Sequence, residues 1–373
     1  QWIDDADEAA VVAALRSPLL TQGERISEFE SKLAARVGAE HCLVLANATA
    51  ALHVAYAAMQ LEGREGITSP NTFVATSNAM AYAGITPRFA DIDARTLNLD
   101  PEAAARAIND ATGVIAPVHF AGLPADMKRF QAVATEHGLR VVEDAAHAIG
   151  SQYPDGGQVG DCRYSDATVF SFHPVKTMTT GEGGAITTND RALYDRMVLL
   201  RSHGLERAPE QMAKAPGPWF YEQQMLGYNY RMTELQAALG LSQLAKLDGF
   251  CIRRQQIVDA YHKGLAGLEW LTLPHVAEQS VCYHLFVLQV DFSSLGKSRS
   301  DVMAQLRHAG VGTQVHYIPV HLQPWYRDHF STQIGDYPDA ERYYERALSI
   351  PLFPAMTDGD VATVIDAVRK LSI

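Results

Sequence analysis

Short apolar runs rich in β-branched residues alternate with helical stretches through the first half of the chain. Seven such runs are present, at residues 42–45, 66–69, 88–91, 114–117, 140–143, 167–170 and 185–188. Helical periodicity fills the intervals at residues 50–59, 74–83, 101–108 and 127–137. Strands that alternate with helices form a mainly parallel sheet, so the pattern predicts an α/β fold with seven strands.

The pattern changes after residue 188. One or two long helices are predicted between residues 232 and 265, and a strand and two helices follow at 286–290, 299–309 and 359–371. A chain of 373 residues is long enough for two domains. We therefore predict a large domain at residues 1–247 and a smaller C-terminal α+β domain at residues 248–373.

Charge and hydropathy exclude several classes of partner. The 31 basic and 43 acidic residues give a net charge of −12 without a basic block, which argues against a nucleic-acid or membrane-surface partner. No apolar run approaches the roughly 18 residues of a membrane span, and the acidic start at residues 4–7 does not resemble a signal peptide. We expect a cytoplasmic protein.

Four cysteines are scattered along the chain, and neither a C-x-x-C nor an H-E-x-x-H motif is present. We therefore expect no metal site and no disulfide, with Cys42, Cys162, Cys251 and Cys282 all present as reduced thiols.

A single lysine, Lys176, lies in the loop between the strands at 167–170 and 185–188, among several hydroxyl side chains. Lysine is usually a solvated surface charge. Between two apolar strands, however, a lysine is either buried at high cost or used as an amine nucleophile. A nucleophilic amine needs a carbonyl partner, and pyridoxal phosphate (PLP) is the commonest such cofactor.

A PLP site also needs a carboxylate for the pyridine nitrogen, and ligands gather at the carboxyl ends of parallel strands. Asp144 follows the strand at 140–143. Burying a carboxylate there is costly unless a cation meets it, and a protonated pyridine nitrogen is one; the alternative is a helix cap. His147, one helical turn further on, is either a partner of the cofactor's phenolic oxygen or a structural histidine.

The phosphate and the ring face of PLP have candidates at other strand ends. Thr49 and Ala50 open a helix whose N–H groups suit a phosphate, although a plain threonine N-cap is the alternative. Ser171 at the end of its strand offers a hydroxyl to the phosphate, or is simply structural. Phe73 lies at a turn, where it either stacks on the pyridine or packs in the core.

With these residues in place, the chain resembles the DegT-type nucleotide-sugar aminotransferases of PLP fold type I, the aspartate aminotransferase-like fold. The matching motifs are residues 21–23, 47–52, 144–150, 171–184, 201–204, 227–231 and 315–317. The resemblance implies a large domain with a mainly parallel seven-stranded sheet and PLP as the cofactor.

The same resemblance implies a role for each candidate residue. Lys176 binds PLP covalently, Asp144 meets the pyridine nitrogen and His147 lies near the phenolic oxygen. Phe73 stacks on the ring. The phosphate is bound by Thr49, Ala50 and Ser171, joined by Asn229 from the neighbouring subunit of a homodimer with shared active sites.

Within the family, residues 172–184, 201–204, 228–234 and 315–321 most resemble the 4-aminotransferase of the pseudaminic acid pathway. This implies transfer of an amino group from L-glutamate to C4 of a UDP-linked 2-acetamido-2,6-dideoxy-4-keto-hexose. The alternative is another UDP- or dTDP-linked ketosugar. The candidates for binding the substrates are Arg201, His203, Arg231, His316 and Tyr317. The sequence leaves open which of them binds the UDP diphosphate and which binds the glutamate carboxylates.

Three other classes are disfavoured. A PLP-dependent sugar dehydratase of this fold carries histidine at the position of Lys176. A non-catalytic regulatory relative would have no reason to retain lysine, aspartate and phosphate ligands together. For a nicotinamide dehydrogenase, the glycine cluster at 181–184 has Ile186 at the place of the third glycine and precedes a strand rather than a helix.

Overall fold

The computed structural model describes residues 1–372 and has a seven-stranded sheet at its centre. Its strands are β1 (His41–Leu45), β2 (Glu65–Thr68), β3 (Thr86–Phe89), β4 (Thr112–Ala116), β5 (Arg140–Asp144), β6 (Ala167–Ser171) and β7 (Gly184–Thr188), in the order β1-β7-β6-β5-β4-β2-β3. Only β7 runs antiparallel to its neighbours β1 and β6. The predicted mainly parallel α/β sheet is therefore confirmed.

Seven helices accompany these strands. They are α1 (Asp5–Leu15), α2 (Glu24–Val37), α3 (Ala48–Ala58), α4 (Ala75–Tyr82), α5 (Pro101–Ala107), α6 (Met127–His137) and α7 (Arg191–Arg201). Alternate residues of a strand face opposite sides of the sheet, so Leu43 and Leu45 pack with α3, α4 and α7, whereas Cys42 and Val44 pack with α2, α5 and α6. Apolar residues on both faces explain why the strands are near-continuous hydrophobic runs.

The rest of the chain completes this unit and then forms a second, smaller one. The elements that follow α7 are β8 (Leu205–Glu206), β9 (Glu222–Gln223) and α8 (Glu234–Leu244), and Ala237 of α8 packs in the same core as α2. The smaller unit contains most of α9 (Leu247–Leu265), together with β10 (Leu271–Thr272), β11 (Phe286–Val290), α10 (Arg299–His308), α11 (Pro324–Phe330), α12 (Pro338–Arg346), β12 (Ala347–Ile350) and α13 (Asp358–Arg369). A 3₁₀ turn lies in the large unit at Phe120–Gly122, and others follow at Pro209–Gln211, Val320–Leu322 and Lys370–Ser372. Strands β10, β11 and β12 form an antiparallel sheet, and β8 pairs with β9 in a separate ribbon.

Helix α9 connects the two hydrophobic cores. Leu247 at its start packs in the core beneath the large sheet, whereas Ile257 and Tyr261 belong to the core around β11 and α13. The domain boundary between residues 247 and 248 stays a prediction, and this change of core along α9 is what supports it.

Two of the four cysteines are joined. Cys251 on α9 forms a disulfide with Cys282, with the two Cα atoms 4.7 Å apart. The prediction that all four cysteines are reduced is therefore wrong for this pair, because α9 packs against the segment before β11 and brings together two residues 31 positions apart. Cys42 and Cys162 are buried free thiols.

The segment that carries Cys282 is bound to both units; we name residues 281–285 the bridging segment. On one side, Nη1 of Arg254 in α9 donates hydrogen bonds to the carbonyl oxygens of Tyr283 and His284, at 3.1 and 3.2 Å. On the other side, the N–H of Cys282 donates to Oγ of Ser151, and the N–H of His284 donates to a carbonyl just after β4. The bridging segment therefore ties the second core to the loops that follow β4 and β5.

Within residues 1–372, no helix is both long and apolar enough to cross a membrane, and no cluster of three or more His, Cys, Asp or Glu side chains is arranged to hold a metal ion.

Candidate active site

A cavity of about 990 Å³ opens where β5 and β6 end and α3 and α4 begin. Nine of the thirteen predicted site residues line it: Thr49, Ala50, Phe73, Asp144, His147, Ser171, Lys176, His316 and Tyr317. These residues come from elements far apart in the sequence, and the topology of the sheet brings them together. The volume is at the upper end of the range for small-molecule sites.

Lys176 is held by the hydrogen bonds of its loop. Because β6 and β7 pair antiparallel, with Ser171 opposite Gly184, the loop begins and ends at neighbouring points of the sheet. The N–H of Lys176 donates to the carbonyl of His173 at 2.9 Å. The carbonyl of Phe172 accepts from the Thr180 N–H at 3.0 Å, which closes the loop beyond the lysine.

The environment of Lys176 makes its amine a better nucleophile. Burial lowers the pKa of Lys176 to about 8, and the carboxylate of Asp144 opposes this shift. An amine with a pKa near 8 is about one-tenth neutral at pH 7, whereas an ordinary lysine is almost fully protonated. The neutral form is the one that attacks a carbonyl or accepts a proton.

We expect the apoprotein to bind PLP covalently at a rate that rises about tenfold between pH 7 and pH 9, with its midpoint near the Lys176 pKa of about 8. The rise follows the neutral fraction of the amine, and stopped-flow absorbance after mixing with PLP measures it. Asp144→Asn should move the midpoint to lower pH, because the carboxylate raises the pKa of Lys176. A midpoint near the ordinary lysine value would contradict this assignment.

Asp144 ends β5 and is buried, with only 5% of its surface exposed. Its Oδ2 accepts a hydrogen bond from Oγ1 of Thr76 at 2.6 Å, and its Oδ1 accepts from the N–H of Ala146 at 3.1 Å. Neither donor is a cation. A buried carboxylate with two neutral donors at the wall of a cavity is suited to a cationic group of a ligand.

His147 is a neutral imidazole next to this carboxylate. Burial lowers its pKa well below the ordinary histidine value, and the positive charge of Lys176 adds to the shift. Its Nε2 lies 3.0 Å from the hydroxyl of Tyr317, and the ring of His284 packs against it with centroids 4.5 Å apart. His147 is therefore an uncharged hydrogen-bonding group at neutral pH.

His316 and Tyr317 form a polar but uncharged wall of the cavity. Burial lowers the pKa of His316 to about 4, with Lys176 adding to the effect, and its Nδ1 lies 2.7 Å from Oγ of Ser349. Burial also raises the pKa of the Tyr317 phenol, and Asp144 adds to that shift. Both side chains are neutral at pH 7 and suit the hydroxyl groups of a sugar.

The start of α3 has the features of a phosphate site. The N-cap is Asn47, whose side chain accepts from the Ala50 N–H at 2.8 Å, so a threonine N-cap is not present. The first N–H groups of a helix, here those of Ala48 and Thr49, have no acceptor within the helix and attract anions. A Cβ on Gly184 would lie 2.6 Å from the Ala48 nitrogen, so glycine is needed for β7 to approach this helix end.

Ser171 and Phe73 complete the cavity. Ser171 is buried at the end of β6, and its Oγ lies 3.4 Å from the N–H of His173. Phe73 is 58% exposed, and its ring centroid lies 6.2 Å from that of Tyr317. The alternative that Phe73 packs in the core is excluded, and its ring is available to a ligand.

Four predicted residues do not line the cavity of their own chain. The guanidinium of Arg201 is paired with Glu30 at 2.6 Å and also donates to the carbonyl of Val44, which accounts for its charge structurally. His203 and Asn229 are exposed, and the backbone of Arg231 bridges to the end of β1. Their roles toward a substrate or cofactor stay predictions.

Two further residues of the site were not expected from the sequence. His53 lines the cavity one helical turn after Thr49, and its Nδ1 lies 3.3 Å from the hydroxyl of Tyr230. Its position four residues after Thr49 on a predicted helix was a usable signal, since such residues share a face. Thr76, the donor to Asp144, had no comparable signal.

These features fit PLP. A buried carboxylate with no cationic donor suits a basic ring nitrogen, and the small-residue start of α3 suits a phosphate. A lysine with a lowered pKa suits an aldehyde. The residues present thus match three polar parts of the cofactor, namely its ring nitrogen, its phosphate and its aldehyde.

Comparison with known proteins agrees with this geometry. A model of the DegT/DnrJ/EryC1/StrS aminotransferase family matches residues 1–369. The spore coat polysaccharide biosynthesis protein SpsC of Bacillus subtilis is 42% identical over 366 residues, which cover 97% of this chain and 93% of that protein.

Solved structures are similar over the whole fold. Helicobacter pylori PseC, described as an aminotransferase involved in the biosynthesis of pseudoaminic acid, superposes with a TM-score of 0.92 at 32% identity, covering 99% of this chain and 97% of that one. The PLP form of Spr1654 from Streptococcus pneumoniae superposes with a TM-score of 0.91 at 29% identity, covering 100% and 97% of the two chains.

Proposed function

The chain belongs to the DegT/DnrJ/EryC1/StrS aminotransferase family and is a PLP-dependent sugar aminotransferase, and we propose that it transfers the amino group of L-glutamate to C4 of a UDP-linked 2-acetamido-2,6-dideoxy-4-keto-hexose. The observation that carries the proposal is that Lys176 and Asp144 line the same cavity. The choice of sugar is supported by the likeness to PseC, whose description names pseudoaminic acid biosynthesis.

PLP, when bound, supplies an aldehyde that condenses with primary amines and a pyridine ring that accepts electrons from the reacting carbon. In our proposal Lys176 would hold the cofactor covalently, and its neutral Nζ would accept the proton from the Cα of the amino donor. A pKa of about 8 suits this role, because a general base works best when its pKa lies near the working pH.

Asp144 holds the proton on the pyridine nitrogen in this proposal. A carboxylate buried at the end of β5, with one donor on each oxygen, is fixed in orientation and stabilises a cation in front of it. His147, neutral at pH 7, binds the phenolic oxygen. The phosphate is bound at the start of α3 by Thr49 and Ala50, with help from Ser171.

The ring of the cofactor and the sugar occupy the rest of the cavity. Phe73 stacks on the pyridine, since its exposed ring lies at the cavity wall. In the proposal the uncharged His316 and Tyr317, which line the cavity, contact the sugar. Arg201, His203 and Arg231 remain candidates for the diphosphate or the glutamate carboxylates, and the ion pair of Arg201 with Glu30 makes it the weakest of the three.

A panel of UDP- and dTDP-linked 4-ketosugars, each incubated with glutamate, tests the proposed substrate. The formation of 2-oxoglutarate and of the aminosugar should be fastest with the UDP-linked 2-acetamido-2,6-dideoxy-4-keto-hexose. A clear preference for a dTDP-linked sugar would favour the alternative substrate. Failure to aminate any ketosugar would overturn the proposed function.

We also propose that the enzyme is a homodimer in which Asn229 of one subunit completes the site of the other. Asn229 is exposed and lies outside the cavity of its own chain, while Tyr230 beside it lines that cavity. A symmetric dimer can present such a segment across its interface.

Mixed dimers test the shared site. Lys176→Ala and Asn229→Asp should each give a nearly inactive protein, the second because a carboxylate repels the cofactor phosphate. When the two are unfolded and refolded together, a shared site leaves one intact site in each mixed dimer. With random pairing the mixture should recover about a quarter of the wild-type activity.

If Asn229 acts within its own chain, every site keeps one lesion and the mixture stays inactive. The matched control is the refolding of each variant alone, which should recover no activity. A mixture as inactive as these controls, although it contains mixed dimers by mass, would contradict the shared site.

A further inference from the structure

The carboxylate of Asp144 lies at the end of a buried chain of hydrogen bonds that includes two threonine hydroxyl groups. Oγ1 of Thr76 lies 2.6 Å from Oδ2 of Asp144 and 2.9 Å from Oγ1 of Thr72. All three side chains are at most 5% exposed. Apart from Asp144, none of these residues was among the predicted site residues.

The direction of the hydrogen bonds follows from the chemistry. An ionised carboxylate only accepts, so the Thr76 hydroxyl must donate to Asp144. Apart from Oγ1 of Thr72, the acceptor within reach of this hydroxyl is the carbonyl of Phe73, which is 3.4 Å away and much less favourable. Since Thr76 has a single hydroxyl hydrogen, Thr72 donates to it in turn, and the chain runs from Thr72 through Thr76 to Asp144.

We propose that Thr76 is a positioning residue for the reaction: its hydroxyl fixes Asp144 in the orientation that holds the proton on the pyridine nitrogen. The inference rests on the role of Asp144 in the proposed function. Thr76 reaches the carboxylate from the first turn of α4, whereas the N–H of Ala146 reaches it from the turn after β5. The two donors bind different oxygens and fix the plane of the carboxylate.

Loss of the hydroxyl leaves a buried, charged oxygen without a donor. Hydrogen bonds to charged groups are the stronger class, and their loss corresponds to a change of about tenfold to a hundredfold in an equilibrium or a rate. Thr72 and Thr76 flank Phe73, so one short segment supplies both the ring proposed to stack on the cofactor and the support for its ring nitrogen.

The test compares Thr76→Val, which keeps the shape but removes the hydroxyl, with Thr76→Ser, which keeps the hydroxyl. In the PLP-loaded enzyme, Thr76→Val should slow the half-reaction with glutamate by about tenfold to a hundredfold at saturating glutamate, with little change in KM. The ¹⁵N chemical shift of labelled PLP should move toward that of an unprotonated pyridine. Thr76→Ser should restore both values nearly to those of the wild type.

The matched control is Ser77→Ala, on the same helix. The Ser77 hydroxyl is buried and contacts the phenol of Tyr326 at 2.7 Å rather than Asp144. This variant should lower the melting temperature without moving the ¹⁵N shift. If Thr76→Val behaves in the same way, with an unchanged shift and half-reaction, Thr76 is only structural and the proposal is overturned.

A double-mutant cycle with Asp144→Asn separates this inference from the function on which it rests. If Thr76 acts through Asp144, Thr76→Val should add little to the effect of Asp144→Asn. Full additivity of the two effects would overturn the positioning role. If Asp144→Asn itself leaves the half-reaction and the ¹⁵N shift unchanged, the proposed role of Asp144 fails and the inference fails with it. If Asp144→Asn slows the half-reaction with glutamate but Thr76→Val does not, only the inference about Thr76 fails.

Discussion

Replacement of Lys176 by alanine is expected to lower the turnover of ketosugar and glutamate by at least about 10²- to 10⁴-fold. That is the usual contribution of a general acid–base group, and this variant also loses the amine that binds the cofactor covalently. PLP should still bind, because Asp144 and the start of α3 are unchanged. Steady-state turnover, together with the absorbance of the protein after addition of PLP, measures both effects.

The control is Lys32→Ala, which removes an exposed lysine paired with Glu28 on α2. It should leave turnover close to that of the wild type, because an exposed ion pair contributes little. Borohydride treatment of the PLP-loaded wild type should fix the cofactor on Lys176, as peptide mass spectrometry would show. Near-normal turnover of Lys176→Ala, or a label on another lysine, would remove Lys176 from the reaction.

The second large effect is expected for Asp144→Asn. The amide keeps the shape of the side chain but removes the charge that holds a proton on the pyridine nitrogen. We expect the half-reaction with glutamate to slow far more than PLP binding weakens, because the charge is needed most in the transition state. Single-turnover kinetics of the variant measure the rate of the half-reaction, and titration of the same variant with PLP measures its affinity for the cofactor.

Asp190→Asn provides the comparison for a carboxylate that only caps a helix. Asp190 is the N-cap of α7 and accepts from the N–H groups of Ala192 and Leu193. Asparagine caps helices about as well as aspartate, so this variant should change stability and kinetics little. If Asp144→Asn behaves like Asp190→Asn, then Asp144 serves only as the acceptor for Thr76 and Ala146 and our assignment is wrong.

Much of the large sheet could be predicted from the sequence, because its strands are buried on both faces and appear as apolar runs. All seven predicted runs are strands in the structure, displaced by at most two residues at their ends. The strands that were not predicted are short, with two to four residues each. Strand β12 follows α12 directly, with no turn residue between Arg346 and Ala347 to mark the boundary.

In the site, the sequence predicts best those residues whose neighbours along the chain already show that a charged side chain is buried at a cost in free energy. A lysine between two apolar strands and an aspartate after a third are each expensive without a partner, and both line the cavity. Contacts between residues far apart in the sequence leave no local pattern from which they could be predicted. Thr76 is 68 residues from Asp144, and Arg201 pairs with Glu30 over 171 residues.

The disulfide illustrates the same limit. Cysteine spacing indicates pairing when the residues form a compact motif, and Cys251 and Cys282 do not. Their pairing depends on how α9 packs against the bridging segment, which is a feature of the tertiary structure and not of the cysteine spacing. The prediction of reduced thiols was reasonable for Cys42 and Cys162, which are buried in strand β1 and beside β7.

The bridging segment has a consequence for how ligands enter. Hinged opening of two units needs a connection with few contacts, but here Arg254, a disulfide and the backbone bonds of Cys282 and His284 join the second core to the loops beside the cavity. The parts of the cavity wall that remain free to move include the exposed side chains of Phe73 and Val175. Exposed side chains change rotamer within picoseconds to nanoseconds, whereas domain closure takes microseconds to milliseconds, so we expect these side chains to admit ligands without a slow domain motion.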